Sequence, residues 1–162
     1  PIPGVDGPNV RDAWKVLAGV QNVSGRVAII GGGVVGCETA EHLGAQGYKV
    51  SIVEMQGKIA SGLSSTVLPT MLENYRKFGV EQYTGHKVLE IALGHLICTD
   101  KDGRVVKIPC DNVVIASGAR PVAFESEGLI NRGIEVVMVG DCRNVADISH
   151  ATKTAYDAAN AL

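Results

Sequence analysis

Between Val27 and Glu54 the chain runs from an apolar tetrad, VAII, straight into Gly31, Gly32 and Gly33, and later reaches a second apolar run, KVSIVE, that ends in an acid. No other stretch restricts the possible folds as much. A continuous apolar tetrad reads as a parallel strand covered on both faces, and the glycines end it abruptly. From Val34 to Gln46, Gly36, Ala40 and Leu43 recur at i, i+4 and i+7, which predicts a helix with a small packing face, ended at Gly47. Lys49 to Glu54 is the second strand. At about 28 residues the segment has the size of a strand, crossover helix, strand unit. The expected class is α/β with a mainly parallel sheet.

Within that unit Gly31, Gly33 and Gly36 form G-x-G-x-x-G where its chemistry requires it, after a strand and at the opening of a helix. Gly31 permits a tight turn, Gly33 lets backbone approach a pyrophosphate because no Cβ intervenes, and Gly36 lets the helix lie close to the strand. Free amides at Val34 and Val35, with the positive end of the helix dipole, would hold the anion. Glu54 ends the second strand, near the roughly 20-residue offset at which an acid accepts hydrogen bonds from an adenosine ribose. Its carboxylate would repel a 2′-phosphate, and no arginine occurs from Met55 to Thr70, so NAD(H) is expected over NADP(H). Lys58 is the cation in that stretch able to swing toward a phosphate. The competing readings are a glycine turn that serves packing alone and an acid that merely faces water at a strand end.

The rest of the chain extends the α/β pattern. PIPGVDGP reads as turn and linker, and Asp12 is expected to cap a short helix through Leu17 that Gly19 ends. Leu68, Met71, Leu72, Tyr75 and Phe78 recur at helical spacing up to Gly79, and Val80 to Tyr83 follows as a third strand. Lys87 to Leu93, His95 to Thr99 and Arg104 to Ile108, separated by Gly94 and by the turn Asp100 to Gly103, predict a three-stranded antiparallel β-meander. Further strands are expected over Val113 to Ala116 and Val136 to Val139. A final amphipathic helix should carry Ile148, Ala151, Ala155 and Leu162.

Composition narrows the partners. A net charge of -2 leaves no basic surplus for nucleic acid. No apolar run reaches about 18 residues and no basic-then-apolar start precedes Val10, so neither a membrane span nor a secretory signal is expected, and the default compartment is cytoplasmic. Cys37, Cys98, Cys110 and Cys142 are widely spaced without a C-x-x-C pair, so they read as reduced, mostly buried thiols, not a disulfide framework or metal site. His42, His86, His95 and His150 share no spacing with carboxylates or cysteines and read as satisfied or exposed imidazoles. No G-x-S-x-G elbow occurs, and no catalytic residue is assigned. The chain opens at Pro1 without a methionine and is expected to be part of something longer.

GGGVVGCETAEHL from Gly31 to Leu43 and VSIVEM from Val50 to Met55 resemble the NAD(P)H-binding domain of the two-dinucleotide-binding-domain flavoprotein reductases. The meander matches too, since that family replaces its third crossover helix with three antiparallel strands. VVIASGARP, Val113 to Pro121, resembles the family's A-T-G-x-x-P strand end with serine at position 117, and VVMVGDC, Val136 to Cys142, its FAD-contacting G-D motif. PIPGVDGPNV and the alanine-rich tail are most similar to the C-terminal part of 2-enoate reductases, 2,4-dienoyl-CoA reductases and the NADH:flavin oxidoreductase/NADH oxidase group.

The resemblance implies a Rossmann-like three-layer domain over residues 23–118, flanked by two strips of an interrupted FAD domain, 1–22 and 119–162. It implies backbone contacts from Gly31, Gly33, Val34, Val35 and Gly36 to pyrophosphate and ribose contacts from Glu54. Val88 would touch the adenine and Gly118 would line the nicotinamide side. Glu38, placed in the helix's first turn, would stand beside the carboxamide, its other reading being an acid that stabilises a helix start. Met55 and Ser117 complete the cofactor-binding set, and Asp141 would accept from the ribityl chain of FAD in the full-length parent. The family's FAD fingerprint, FMN barrel and iron–sulfur cysteine cluster are not in this sequence. The implied function is hydride transfer from NADH to FAD, with a parent that reduces an activated C=C bond of an enoate or dienoyl-CoA, and an isolated chain that binds nucleotide without turnover. Its partners would be the parent's FAD-binding and catalytic domains, with a homodimer expected through the apolar surface they leave. The alternative is a non-catalytic adenine-nucleotide-binding or sensor domain. An S-adenosylmethionine methyltransferase is opposed by the meander and by Ala116 to Pro121.

Overall fold

Successive side chains of a strand point to opposite faces, so the unbroken apolar runs at Val27 and Val50 demand cover on both sides. The computed structural model, which describes residues 2–161, supplies it. Up to Gly118 the chain forms one unit: β1 (Val10–Asp12), α1 (Ala13–Leu17), β2 (Arg26–Ile30), α2 (Val34–Ala45), β3 (Lys49–Glu54), α3 (Leu68–Phe78), β4 (Glu81–Thr84), β5 (Lys87–Ala92), β6 (His95–Thr99), β7 (Val105–Pro109) and β8 (Asn112–Ile115). Five strands make a parallel sheet in the order β1-β8-β2-β3-β4. The other three, β5-β6-β7, form a separate antiparallel sheet whose register shifts between Val88 and Glu90. The architecture is mixed α/β, as expected.

The two faces of the parallel sheet bury two different cores. Val27, Ile29, Val50, Ile52 and Val114 point to the helices, where they meet Ala40 and Leu43 of α2 and Met71 and Tyr75 of α3. Ala28, Ile30, Val53 and Val113 point the other way, against Ile91, Leu96, Cys98 and Ile108 of the meander. Each large aliphatic side chain so removed from water contributes about 1.5–3 kcal/mol. Tyr75 ties the helices together, its buried hydroxyl donating to the Cys37 carbonyl at 2.7 Å. Burial pushes that hydroxyl's pKa well above its ordinary value. All four cysteines are free. Burial raises the thiol of Cys37 and pushes those of Cys98 and Cys110 up to about 11.

Three features of this unit depart from the sequence reading. The third strand starts at Glu81, because the Val80 amide donates to the Tyr75 carbonyl in the αL turn that closes α3 at Gly79. Val10–Asp12 is an additional edge strand, three residues long and parallel to β8. The PIPGVDGP stretch is more than a linker: Ile2 and Val5 pack on the meander-side core, and the Ile91 amide donates to the Pro3 carbonyl.

The second unit begins at Ala119 and contains α4 (Glu127–Ile130), a single 3-10 turn at Gly140–Cys142 and α5 (Ile148–Ala159). Asp147 caps α5 by accepting from the His150 amide at 2.7 Å. Residues 136–139, expected as a strand, form none, because a strand exists only as part of a ladder and no described residue pairs with them. The short α4 was not anticipated. Leu162, expected on the last helix, lies outside the described residues. No helix among the described residues is long and apolar enough to cross a membrane.

Candidate functional site

A cleft of about 540 Å³ opens beyond the carboxyl ends of β2, β3 and β8, the place where open α/β sheets hold ligands. One wall is the turn after β2. Gly31 adopts φ +107°, where a side chain is strained, and a Cβ there would lie 2.6 Å from the Ala116 carbonyl oxygen. At Gly36 a Cβ would land on the carbonyl oxygen of Gly31, so the first turn of α2 can close on β2 only without one. Gly33 differs from both: nothing lies within 4 Å of the position its Cβ would take. The space beside it is open to the cleft it lines.

The amides of the turn divide by partner. Gly31 donates to the Val53 carbonyl at 3.0 Å and Gly32 to Glu54 Oε2 at 2.6 Å, so neither N–H is left for an anion. The Gly31 amide, expected from sequence to contact a pyrophosphate, is thus engaged within the protein. Gly33 caps α2 with no side-chain bond, and the first intrahelical bond runs from the Cys37 amide to the Gly33 carbonyl at 2.9 Å. The amides of Val34, Val35 and Gly36 precede it and retain the unsatisfied polarity of a helix start.

Glu54, half-buried at the end of β3, is held at both oxygens. Oε2 takes the Gly32 amide and Oε1 takes the Gln56 amide at 2.7 Å. Charge-assisted bonds of this kind fix the carboxylate before any ligand arrives, while each oxygen keeps acceptor capacity. The same segment is stapled to its neighbours, since the His86 amide donates to the Glu54 carbonyl at 2.9 Å and the Gly85 amide to the Gln56 carbonyl at 2.8 Å.

The cleft gathers Gly31, Gly33, Glu54, Met55, Val88, Ser117 and Gly118 from the sequence-derived set. Val34, Val35 and Gly36 follow at the helix start without lining it. Glu38 is the fifth residue of α2, not in its first turn, and is exposed outside the cleft, because α2 begins at Val34 and one turn takes only about 3.6 residues. Asp141 belongs to the second unit, where its carboxylate accepts from the Ala146 amide.

Sequence reasoning did not place Gln56, His86 or Lys87 at this cleft, and all three line it. The cation beside Glu54's cleft is thus Lys87, while Lys58 is exposed outside it. The signal for them was the return of the chain from β4: a turn with Gly85 at φ +68° must bring the residues after it back over the strand ends.

Another cleft, of about 520 Å³, lies at the amino ends of β2, β3 and β4 and is lined by Arg26, Lys49, Glu81 and Tyr83. Arg26 is paired with Asp111 at 3.1 Å and Glu81 accepts from the Tyr83 hydroxyl at 2.9 Å, and the glycine that lines this cleft, Gly79, closes the carboxyl end of α3, where the helix dipole does not favour an anion. Among the described residues no cluster of His, Cys, Asp or Glu could hold a metal ion.

Comparison with known proteins identifies the family of the chain. The family model described as pyridine nucleotide-disulphide oxidoreductase matches residues 1–138. The chain is 46% identical to bilirubin reductase of Mediterraneibacter gnavus, an alignment covering 100% of this chain and 25% of that protein. It is 37% identical to NADH oxidase of Thermoanaerobacter brockii, over 93% of this chain and 24% of the relative. Among solved structures, a 2-naphthoyl-CoA reductase in complex with 2-naphthoyl-CoA superposes with a TM-score of 0.85 at 25% identity, covering 96% of this chain and 24% of the other. The chain spans about a quarter of the length of these relatives. With a nucleotide-type glycine turn, a parallel sheet and an inserted meander, and a model match over most of its length, the chain belongs to the pyridine nucleotide-disulphide oxidoreductase family.

Proposed function

We propose that this chain is the NAD(H)-binding domain of a flavin-dependent oxidoreductase that works in the cytoplasm. The observation that carries this reading is one cleft that collects a glycine turn, a pinned carboxylate and the Ser117–Gly118 strand end. The open space at Gly33 fits a bound dinucleotide, because a Cβ there would project toward the ligand and nothing of the protein occupies that position.

In this reading the amides of Val34, Val35 and Gly36 hold the pyrophosphate, helped by the helix dipole. Glu54 accepts from the adenosine ribose hydroxyls, and Val88 covers the adenine. Ser117 and Gly118 leave room for the nicotinamide end. When bound, the nicotinamide supplies a hydride, and FAD of the whole enzyme is its acceptor. Asp141 and the second unit serve that flavin domain. Relatives named NADH oxidase, bilirubin reductase and cinnamate reductase support a parent that takes electrons from NADH and reduces an activated C=C bond, such as that of an enoate or dienoyl-CoA. Glu54 disfavours a 2′-phosphate and so favours NADH, with Lys87 as the nearby cation that works against this preference.

Titration calorimetry of the chain with NADH, NADPH and ADP, repeated on Glu54→Ala with its fold checked by circular dichroism, tests the reading. Selective NADH binding that the substitution abolishes is expected. Equal binding of NADH and ADP would favour an adenosine-only sensor, which the position of Glu38 outside the cleft also favours. A preference for NADPH would overturn the cofactor assignment.

A further inference from the structure

His86 is the histidine at the nucleotide cleft, and its surroundings restrict what its ring can do. The ring is half-buried and stands edge-on to Tyr83, with centroids 5.6 Å apart and planes at 82°. Its Nδ1 lies 2.8 Å from the Thr84 carbonyl oxygen. A carbonyl only accepts, so Nδ1 carries the proton and donates. In the neutral ring the other nitrogen, Nε2, is then an acceptor with an in-plane lone pair. The backbone holds this arrangement in register with the ribose acid, through the His86 amide on the Glu54 carbonyl and the Gly85 amide on the Gln56 carbonyl. His86 thus follows Glu54 across the cleft wall and precedes Val88 by two residues, between the groups assigned to ribose and to base.

We infer that His86 is a base-reading residue, whose Nε2 accepts a hydrogen bond from the exocyclic amine of the adenine, so that the cleft selects adenine dinucleotides over those carrying an oxygen at that position. This rests on the nucleotide reading above. The neighbouring Lys87 cannot take the role, because an ammonium has no acceptor. A base with a carbonyl in place of the amine would set two acceptors against each other. The ring cannot relieve this by moving its proton to Nε2 without giving up the bond to Thr84.

The test compares NADH with reduced nicotinamide hypoxanthine dinucleotide by titration calorimetry on the unaltered chain, on His86→Asn and on His86→Gln. The unaltered chain should prefer NADH on the order of tenfold, the scale of one satisfied hydrogen bond against one mismatched pair. His86→Asn keeps a polar group near Nδ1 and removes the outer acceptor, so its preference should fall to within about twofold. His86→Gln carries an amide oxygen out to the Nε2 position and should keep most of it. Equal affinities in the unaltered chain, which needs no variant to read, or an undiminished preference in His86→Asn, would overturn the inference while leaving the nucleotide reading intact. If the unaltered chain bound neither dinucleotide, the nucleotide reading itself would fall and this inference with it.

Discussion

Val27 to Ile30 and Val136 to Val139 are both four-residue apolar runs that end in glycine, yet they take different courses. The first lies at the centre of the parallel sheet, paired with β3 on one side and β8 on the other, with Val27, Ala28 and Ile29 at most 1% exposed. The second pairs with no described residue, and Val137 is 46% exposed. The helices of the two units differ in the same way. α2 buries six of its residues, whereas α5, equally long and well capped, buries none. Capping and propensity are local, so they act in both units, but burial requires a neighbouring layer, and only the first unit has layers on both faces of its sheet.

The largest test of that contrast is a pair of matched truncations. Ile52→Ala, at a fully buried site on β3, should cost about 2–5 kcal/mol, read as a drop in the denaturant midpoint. Ile148→Ala, at an 87% exposed site on α5, should stay within about 0.5 kcal/mol. A large cost at Ile148 would mean that the second unit buries more than its own fold provides.

Within the first unit the glycine turn offers a second contrast. Gly36→Ala drives a Cβ onto the Gly31 carbonyl and should destabilise by about 1–3 kcal/mol while weakening nucleotide binding. Gly33→Ala meets no protein atom at an ordinary φ of -71°, so it should change stability by no more than about 1 kcal/mol and still lower nucleotide affinity. Unfolding curves and titrations on the two variants separate packing from ligand approach. Unchanged NADH affinity in Gly33→Ala would remove the pyrophosphate from that place.

The smallest effect is chemical. Burial pushes the thiols of Cys98 and Cys110 up to about 11 and raises that of Cys37, so at pH 8 all three stay protonated and unreactive in the folded chain. Cys142, half-buried in the second unit, should be alkylated first, with the other three reacting only in denaturant. Peptide mapping after iodoacetamide treatment reads the order, and early modification of Cys98 would show that the meander opens readily.

Most of the first unit is legible in the sequence, and the reasons are local. The 3.6- and 2-residue periodicities place α2, α3, β2, β3 and the meander within a residue or two, because each of these segments buries one or both faces. The glycine spacing and Glu54 likewise sit on one turn and one strand end. What escaped was non-local. β1 is three residues that mean nothing without β8 beside them, and the packing of Ile2 and Val5 depends on a meander about ninety residues further along. His86 and Lys87 line the cleft because the turn after β4 folds back onto β3, and no spacing between them and the glycine fingerprint records that return.

The sequence by itself determined the α/β class, the order of the elements in the first unit, the glycine turn and the acid at the end of β3. Each follows from steric and hydrogen-bonding preferences of residues close together in the chain. Only the tertiary structure decided which apolar runs became strands, which amides of the turn stayed available, and which side chains joined Glu54 at the cleft. Those outcomes depend on partners far away in sequence, and a ladder, a buried face or a pinned carboxylate exists only once both partners are in place.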